Sequence, residues 1–333
     1  MIQLIIILGV LFLLELGYFQ LADRFNIIDK PNERSSHTQL TIRGGGILFP
    51  IAWILYSLSH GFAFPYATVG VFLIGTISFL DDRMELSSRL RLLVHVLAFT
   101  LCFIELDVFS VLPWWYIPIV YILAIGCVNA INFMDGINGI TGLYTLAVLV
   151  PMYLYLYPTV LDSNGLSYLI ASVLVFGFFN FRKKAKCFAG DVGSVSMGYI
   201  LIFLILGLML QRWSSQTGLV DAIQMQTKAT LEFKYILLLS LYGVDAILTI
   251  IHRLILKENI FKAHRKHLYQ YLANELKWPH LVVATLYAII QLGINIWVMS
   301  SQVTLLSSIS LLLLLSSLYI LFKKMILART RDF

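Results

Sequence analysis

Residues 71–83 read VFLIGTISFLDDR, an apolar run that ends in two adjacent aspartates and an arginine. Comparable apolar runs recur along all 333 residues, of which 59% are hydrophobic and only 13% charged. A run of about 20 apolar residues is long enough to cross about 30 Å of hydrocarbon as an α-helix. The sequence therefore predicts an all-α polytopic integral membrane protein, with residues 1–333 forming one domain.

The apolar runs predict about eleven transmembrane helices and no separate soluble domain. Their expected positions are near residues 1–22, 44–60, 63–80, 90–109, 113–131, 140–160, 165–181, 192–211, 233–251, 281–300 and 304–322. The cysteines have no metal-binding or disulfide spacing and are expected to pack in the bundle: Cys102, Cys127 and Cys187.

Lysine and arginine are concentrated in alternate loops, which predicts the orientation in the membrane. Of the 24 basic residues, only Arg212, Lys228 and Lys234 fall outside the loops, their margins and the C-terminal tail that face inward when the N-terminus is outside. We therefore expect the N-terminus outside and the C-terminus on the cytoplasmic side. The net charge of +6 then reflects topology and headgroup contacts, and needs no nucleic-acid partner.

Polar clusters follow the apolar runs, and an even number of predicted spans separates each cluster from the next. They are FLDDRMELSSR (79–89), NAINFMDGING (129–139), CFAGDVGS (187–194) and HRLILKENIFKAHRKH (252–267). All of them, with the loop that contains Arg43, are therefore predicted on the cytoplasmic side, where they can form one site. Within the spans, the main ionisable residues are Glu15 and Asp245.

Each cluster has a chemical interpretation and a plainer one. Adjacent carboxylates at Asp81 and Asp82 suit metal binding or proton abstraction, with Arg83 and Arg89 available as partners, although a lone surface aspartate is usually a solvated loop end. Asp191 lies between glycines that can turn backbone amides toward a phosphate, and Mg²⁺ commonly takes one or two carboxylates plus substrate phosphates, but a helix cap is also possible.

The amide-rich and basic clusters allow the same two interpretations. Side-chain amides at Asn129, Asn132 and Asn138 suit a nucleobase or a ribose, although a turn also favours asparagine and glycine. Near the last inward loop, cations and imidazoles suit a phosphate-rich substrate. They are His252, Arg253, Lys262, His264, Arg265, Lys266 and His267.

Taken together, the motifs resemble the polyprenyl-phosphate N-acetylhexosamine-1-phosphate transferases, glycosyltransferase family 4. The matching patterns are DD, NxxNxxDGxNG, FxGDxGS and a basic histidine loop, in that order. The first inward loop, DKPNERSSHTQLTIRGGG (29–46), adds a similar pattern of Asp29, Pro31, Arg34, His37, Arg43, Gly44, Gly45 and Gly46.

The resemblance implies transfer of a sugar 1-phosphate from a UDP-N-acetylhexosamine to undecaprenyl phosphate, with release of UMP. It implies that Asp191 binds Mg²⁺, or Mn²⁺ in its place, and that Asp81 and Asp82 deprotonate or orient the lipid phosphate. The remaining implied site residues are Asn132, Asp135 and Asn138 on the nucleotide side, Phe188 against uracil, Asn180 as a further polar group, and His264, Arg265 and His267 at the pyrophosphate or sugar. A homodimer is compatible with the resemblance.

Departures from the family pattern bear on the donor sugar. Glu85 stands where the peptidoglycan enzyme has a lysine, and Tyr269 and Gln270 stand where many relatives have histidines. A UDP-MurNAc-pentapeptide donor is therefore disfavoured. The chain is more similar to initiators of O-antigen, lipopolysaccharide or capsule synthesis in the cell envelope, which use UDP-GlcNAc or 6-deoxy sugars such as N-acetylfucosamine and N-acetylquinovosamine.

A secondary transporter of a nucleotide sugar or lipid-linked anion is the alternative. Such transporters usually carry ionisable or broken-helix features near the bilayer midplane and paired half-chain repeats, which the sequence does not show. The CDP-alcohol phosphotransferases carry four spaced aspartates on one segment, a pattern that is missing here.

Overall fold

The computed structural model describes residues 2–29, 40–84, 86–156, 163–211, 231–260 and 264–330. Its architecture is a bundle of α-helices. Among the described residues, the eleven long helices are α1 (Ile2–Arg24), α2 (Leu48–Ser59), α3 (Pro65–Arg83), α4 (Ser88–Glu105), α5 (Ile117–Met134), α6 (Ile140–Leu156), α7 (Ser163–Asn180), α8 (Gly190–Met209), α9 (Ser240–Ile255), α10 (His280–Ser300) and α11 (Leu305–Thr330).

Each of the eleven predicted apolar stretches coincides with one of these helices, so the all-α membrane fold is confirmed. Six helical segments in the described part of the chain are long and apolar enough to cross a membrane. They are Gln3–Arg24, Trp114–Met134, Gly190–Met209, Phe233–Ile255, His280–Ser300 and Leu305–Ala328. Shorter apolar helices are also present in the described part of the chain. The number of membrane crossings stays a prediction.

Helix α8 is the centre of the bundle. In its most apolar 18-residue stretch, 94% of the residues are buried inside the protein, and α2, α3 and α5 pack around it. Helix α11 lies at the periphery, where 11% of the residues in the corresponding stretch are buried. Large apolar side chains that remain exposed, such as Ile122 at 71% and Leu306 at 75%, are placed to meet lipid.

Helices α3 and α4 form a hairpin that is capped at both ends. At the end distant from the polar loops, Glu105 Oε2 accepts the amide hydrogens of Tyr66 and Ala67 at 2.7 and 3.1 Å. At the other end, Ser87 is the N-cap of α4, and its side chain accepts from the Leu90 amide. These caps satisfy helix-end amides that would be costly to leave unpaired in a membrane protein.

A two-stranded antiparallel sheet positions the loop that contains Arg43. Strand β1 (Ile28–Asp29) pairs with β2 (Thr41–Ile42), with Ile28 opposite Ile42. Ile42 also bridges Cys187, so the first loop is attached to the segment that leads into α8.

Candidate active site

The polar ends of α3, α4, α5 and α8 and the loop after α9 surround one cavity of about 460 Å³. The carboxylates, amides and imidazoles in its wall come from segments that are far apart in sequence. Six of the predicted site residues line it: Asp81, Asn129, Asn132, Asp191, His264 and His267.

The adjacent aspartates have different partners, because successive side chains on a helix point in different directions. Asp81 Oδ2 pairs with Arg91 Nη1 at 2.7 Å, and its Oδ1 accepts the Leu86 amide hydrogen at 2.9 Å. Asp82 turns away from the cavity and is 1% exposed. The expected arginine partners, Arg83 and Arg89, are therefore not the ones that neutralise the pair, and Arg83 instead donates to the Phe25 carbonyl.

The Asp82 carboxylate, on α3, caps the N-terminus of the central helix α8. Its two carboxylate oxygens accept the backbone hydrogens of Asp191 and Val192, each at 3.1 Å, and Arg43 Nε lies 2.7 Å from Oδ1. The expectation that the glycine turn offers these amides to a phosphate is therefore wrong for residues 191 and 192. A carboxylate of the protein already occupies this helix N-terminus, where the dipole favours a negative charge.

The glycine run after Arg43 allows two backbones to meet closely. Gly45 and Gly46 donate to the carbonyls of Phe188 and Ala189 at 2.8 and 3.1 Å. A Cβ on Gly46 would lie 2.4 Å from the Gly193 Cα, so only glycine fits there. The same pairing places the Phe188 backbone against this loop.

Asp191 is the carboxylate at the start of α8 that remains available to the cavity. Its side chain is 23% exposed, Arg43 Nη2 lies 3.5 Å from its Oδ1, and the Asn132 amide donates to it. Asn132 in turn accepts the Ser194 hydroxyl at 2.7 Å, which fixes the amide orientation. Asn129, one turn earlier on α5, is exposed in the cavity wall.

The donor set fits a magnesium ion completed by substrate. Among the described residues, no group of three or more histidine, cysteine, aspartate or glutamate side chains is placed to hold a metal. Mg²⁺ usually keeps several waters and binds through one or two carboxylates plus phosphate oxygens. Asp191, with Asp81 in the same wall, meets that requirement.

Asp135 ends α5 beside this cavity, and its Oδ1 accepts the Thr141 hydroxyl at 2.6 Å. Burial raises the pKa of the Asp135 carboxyl to about 6, and the Thr141 hydrogen bond opposes that rise. The Asp135 carboxyl is therefore protonated to a greater extent near pH 6 than an ordinary aspartate.

Two predicted site residues join loops and do not line the cavity. Asn180 is 4% exposed; its Oδ1 accepts from the Gly139 amide at 2.7 Å, and its Nδ2 donates to the Cys187 carbonyl at 2.8 Å. Asn138 donates to the Arg182 carbonyl at 3.2 Å. These amides hold the loop after α5 against the segment before α8, as asparagines in turns often do.

The histidine loop contributes imidazoles in different environments. His264 is partly buried, and burial followed by the proximity of His267 lowers the pKa of the His264 ring to about 4. His267 is 2% exposed, and its Nδ1 lies 3.1 Å from Oδ1 of Asp245 on α9. Arg265 is half-buried between them and does not line the cavity.

The structure adds cavity residues that the motifs did not indicate. Arg91 and His95 lie one turn apart on α4, and both line the wall beside Asp81. The sequence could have indicated Arg91 and His95 through their position alone. Residues in the first turns of a helix that follows a site loop lie close to that loop.

Some predicted elements lie outside the described residues. They are Pro31, Arg34 and His37 of the first loop, Glu85, and Lys262.

Comparison with known proteins agrees with this geometry. Residues 64–209 match the model of the family described as glycosyl transferase family 4. The matched stretch contains Asp81, Asp135 and Asp191 and ends before the histidine loop. A "Probable undecaprenyl-phosphate N-acetylglucosaminyl 1-phosphate transferase" of Bacillus subtilis (strain 168) is 29% identical over 208 residues, covering 57% of this chain and 58% of the relative.

Fold and site define a multi-pass membrane protein with a polar cavity at one end of its helix bundle. Residues 64–209 are similar to glycosyl transferase family 4, and the chain spans 58% of the length of the Bacillus relative that it matches.

Proposed function

We propose that this chain transfers an N-acetylhexosamine 1-phosphate from a UDP-N-acetylhexosamine to undecaprenyl phosphate and releases UMP. The observation that carries the proposal is the cavity, which combines carboxylate, amide, arginine and imidazole groups at the polar end of an apolar bundle. A nucleotide sugar from water and a phosphate on a lipid can meet only at such a boundary. The name of the Bacillus relative supports the same reaction.

Asp191 is the proposed ligand of Mg²⁺, or of Mn²⁺ in its place. When bound, the ion neutralises pyrophosphate charge and supports the departure of UMP. Arg43 and Asn132 orient the Asp191 carboxylate toward the cavity. The proposal assigns Asn129 and Asn132 to the nucleotide.

The proposed reaction is direct attack. An oxygen of the lipid phosphate bonds to the sugar-linked phosphorus, and the bond from that phosphorus to the oxygen of UMP breaks. Because Asp81 Oδ2 already accepts an Arg91 hydrogen, we favour a role for the Asp81–Arg91 ion pair in orienting the lipid phosphate over proton abstraction by Asp81. The Arg91 guanidinium attracts an oxygen of the lipid phosphate, and Asp81 holds the guanidinium in place.

We propose UDP-GlcNAc as the first donor to test, because the Bacillus relative is named for N-acetylglucosamine. The 6-deoxy donors UDP-N-acetylfucosamine and UDP-N-acetylquinovosamine follow. In a bacterial inner membrane, the product starts a lipid-linked surface polysaccharide such as O-antigen or capsule. This requires the cavity to face the cytoplasm.

The test is UMP release by the purified full chain in detergent with Mg²⁺, undecaprenyl phosphate and, in turn, UDP-GlcNAc, UDP-GalNAc and UDP-N-acetylfucosamine, with tunicamycin as inhibitor. We expect UMP that depends on the lipid phosphate and on one donor. In Asp191→Asn this release should fall by about 100-fold or more, because the metal loses its carboxylate. The exposed Asp23 on α1 offers a matched control, Asp23→Asn. Folded protein that releases no UMP from any donor contradicts the proposal and favours the transporter alternative.

A further inference from the structure

A buried carboxylate lies behind the histidine loop, inside the helix bundle. Asp245 is 1% exposed, and its Oδ2 accepts the Tyr287 hydroxyl at 2.7 Å. Its Oδ1 is surrounded by donors at 3.1–3.3 Å. These are the Thr249 and Tyr319 hydroxyls, the Leu268 amide and the His267 ring.

The His267 ring joins this carboxylate to the cavity. Its Nδ1 lies 3.1 Å from Asp245, and its Nε2 is buried with no hydrogen-bond partner among the described residues. The ring lines the cavity and stacks on Tyr269 at 5.8 Å between centroids. A buried ring nitrogen is seldom left without a partner, so this one is oriented for a group that enters the cavity.

Asp245 determines which ring nitrogen of His267 donates to it. The carboxylate oxygens accept from every group around them, so His267 Nδ1–H is the donor in this contact. Lys323 is one group further away, donating to the Tyr319 hydroxyl at 2.9 Å. A hydrogen bond to one ring nitrogen fixes the orientation of the other, so Asp245 directs Nε2 toward the cavity.

We infer that Asp245 is a positioning residue that orients the His267 ring, with Nδ1–H bonded to the carboxylate and Nε2 directed at the nucleotide sugar in the cavity. The inference rests on the proposed function for the identity of the ligand. The arrangement itself follows from the contacts of Asp245 and His267.

Other charged or polar groups surround the contact between Asp245 and His267. Asp245 lies on α9, Tyr287 on α10, and Tyr319 and Lys323 on α11. The loop contributes His264, Lys266 and Tyr269, and Asp191 lines the same cavity as the ring. Of these, Asp245 is the carboxylate in contact with the ring, so its loss is expected to change the ring orientation most.

A spectroscopic test is independent of the transferase reaction. Full-length protein with ¹⁵N-labelled histidine is compared in detergent with His267→Gln, which assigns the His267 signals. We expect His267 Nδ1 to carry a hydrogen that is bonded to the carboxylate. In Asp245→Asn, the Nδ1 signal should shift, because an amide oxygen is a weaker acceptor than a carboxylate. A His267 Nδ1 without hydrogen in the unaltered protein overturns the inference without need of any variant at Asp245.

A matched control separates positioning from helix packing. Asn295 on α10 is also fully buried; it accepts from Gln291 and donates to the Ala147 carbonyl, away from His267. Asn295→Ala should weaken packing and leave the His267 signals unchanged. An equal change in both variants contradicts a specific role for Asp245.

Kinetics then test the role in the reaction. For Asp245→Asn we expect kcat/KM for the donor to fall about 10- to 100-fold, as for other groups that orient a contacting residue.

In a His267→Gln background, Asp245→Asn should cost little more, since it acts through the ring. Additive losses overturn the inference. If no donor gives UMP, the proposed function fails, while the NMR result still decides whether Asp245 bonds the His267 ring.

Discussion

At the scale of single residues, the adjacent aspartates show how identical side chains acquire different tasks. Asp81 lies in the cavity wall in contact with Arg91, whereas Asp82 is buried between Arg43 and the first amides of α8. The sequence predicted an acidic pair but could not assign these partners. Each partner comes from an element whose position depends on how the helices pack.

This difference predicts separate consequences of removing each charge. Asp82→Asn should lower the free energy of unfolding by about 1–3 kcal/mol, because it leaves the partly exposed Arg43 and a helix amide without their acceptor. Asp81→Asn should leave the melting temperature nearly unchanged and reduce UMP release at least about 10-fold. Thermal unfolding in detergent and the release assay measure the two effects. The same effect from both substitutions would contradict the division of roles.

A pH dependence follows from Asp135. Burial raises the pKa of its carboxyl to about 6, so the folded protein favours the neutral form relative to the unfolded chain. The associated stability is present at pH values below the ordinary aspartate pKa and is lost as pH rises through about 6. If the reaction uses the carboxylate, activity falls as pH decreases through the same value.

The Thr141 hydroxyl opposes that rise through its 2.6 Å hydrogen bond to Asp135. In Thr141→Val we therefore expect the acidic limb of the kcat/KM profile to move upward by about 0.7 pH unit, equivalent to one hydrogen bond of about 1 kcal/mol. Thr145→Val, one turn along α6, is the matched control. A limb that stays in place would show that Asp135 does not control the profile.

At the scale of elements, the start of α8 determines the geometry of the site. The first backbone amides of α8, those of Asp191 and Val192, are bonded to Asp82 and are not open to a substrate phosphate. The glycine run after Arg43 packs against the same turn of α8. The start of α8 is thus assembled by α3, the first loop and α8 together. Its rigidity holds Asp191 toward the cavity.

Gly46→Ala tests this contact between backbones. The added Cβ would lie 2.4 Å from Gly193 Cα and 2.8 Å from the Ala189 carbonyl oxygen, and neither can move without shifting the loop. We expect a loss of about 1–3 kcal/mol in stability together with lower activity. Gly9→Ala on α1 meets no atom within 4 Å and serves as the control. Melting temperatures of the two variants give the comparison, and equal values would contradict the close packing.

At the scale of the whole molecule, the polar loops share one end of the bundle, and the exposed aromatic group Trp114, Trp115 and Tyr116 begins the span that reaches them. Aromatic residues of this kind are typical of membrane interfaces. The positive-inside pattern predicts that the cavity end faces the cytoplasm, with the aromatic group on the opposite side.

Cysteine labelling tests this orientation. Lys184→Cys, in the loop before α8, should react with a membrane-impermeant maleimide in inverted vesicles, and Trp115→Cys should react in right-side-out vesicles. The parent protein is the control, because Cys102 and Cys187 are buried and Cys127 lies within α5. Labelling of both positions from one side would contradict the topology.

The sequence by itself determined the membrane fold, the approximate helix positions and which polar clusters lie near one another. Hydrophobic length and the alternation of charged loops are properties of the chain alone, and they restrict a helix bundle strongly. Within those clusters, residue types indicated a phosphate and metal site at Asp191 and the asparagines of α5.

Only the tertiary structure decided which side chain meets which. The cap of α8 by Asp82, the pairing of Asp81 with Arg91 and the contact between Asp245 and His267 join different segments of the chain. The spacing of residues along one helix cannot predict such pairs. Their formation depends on the relative rotation and depth of packed helices, and these are set by the many apolar contacts of the bundle.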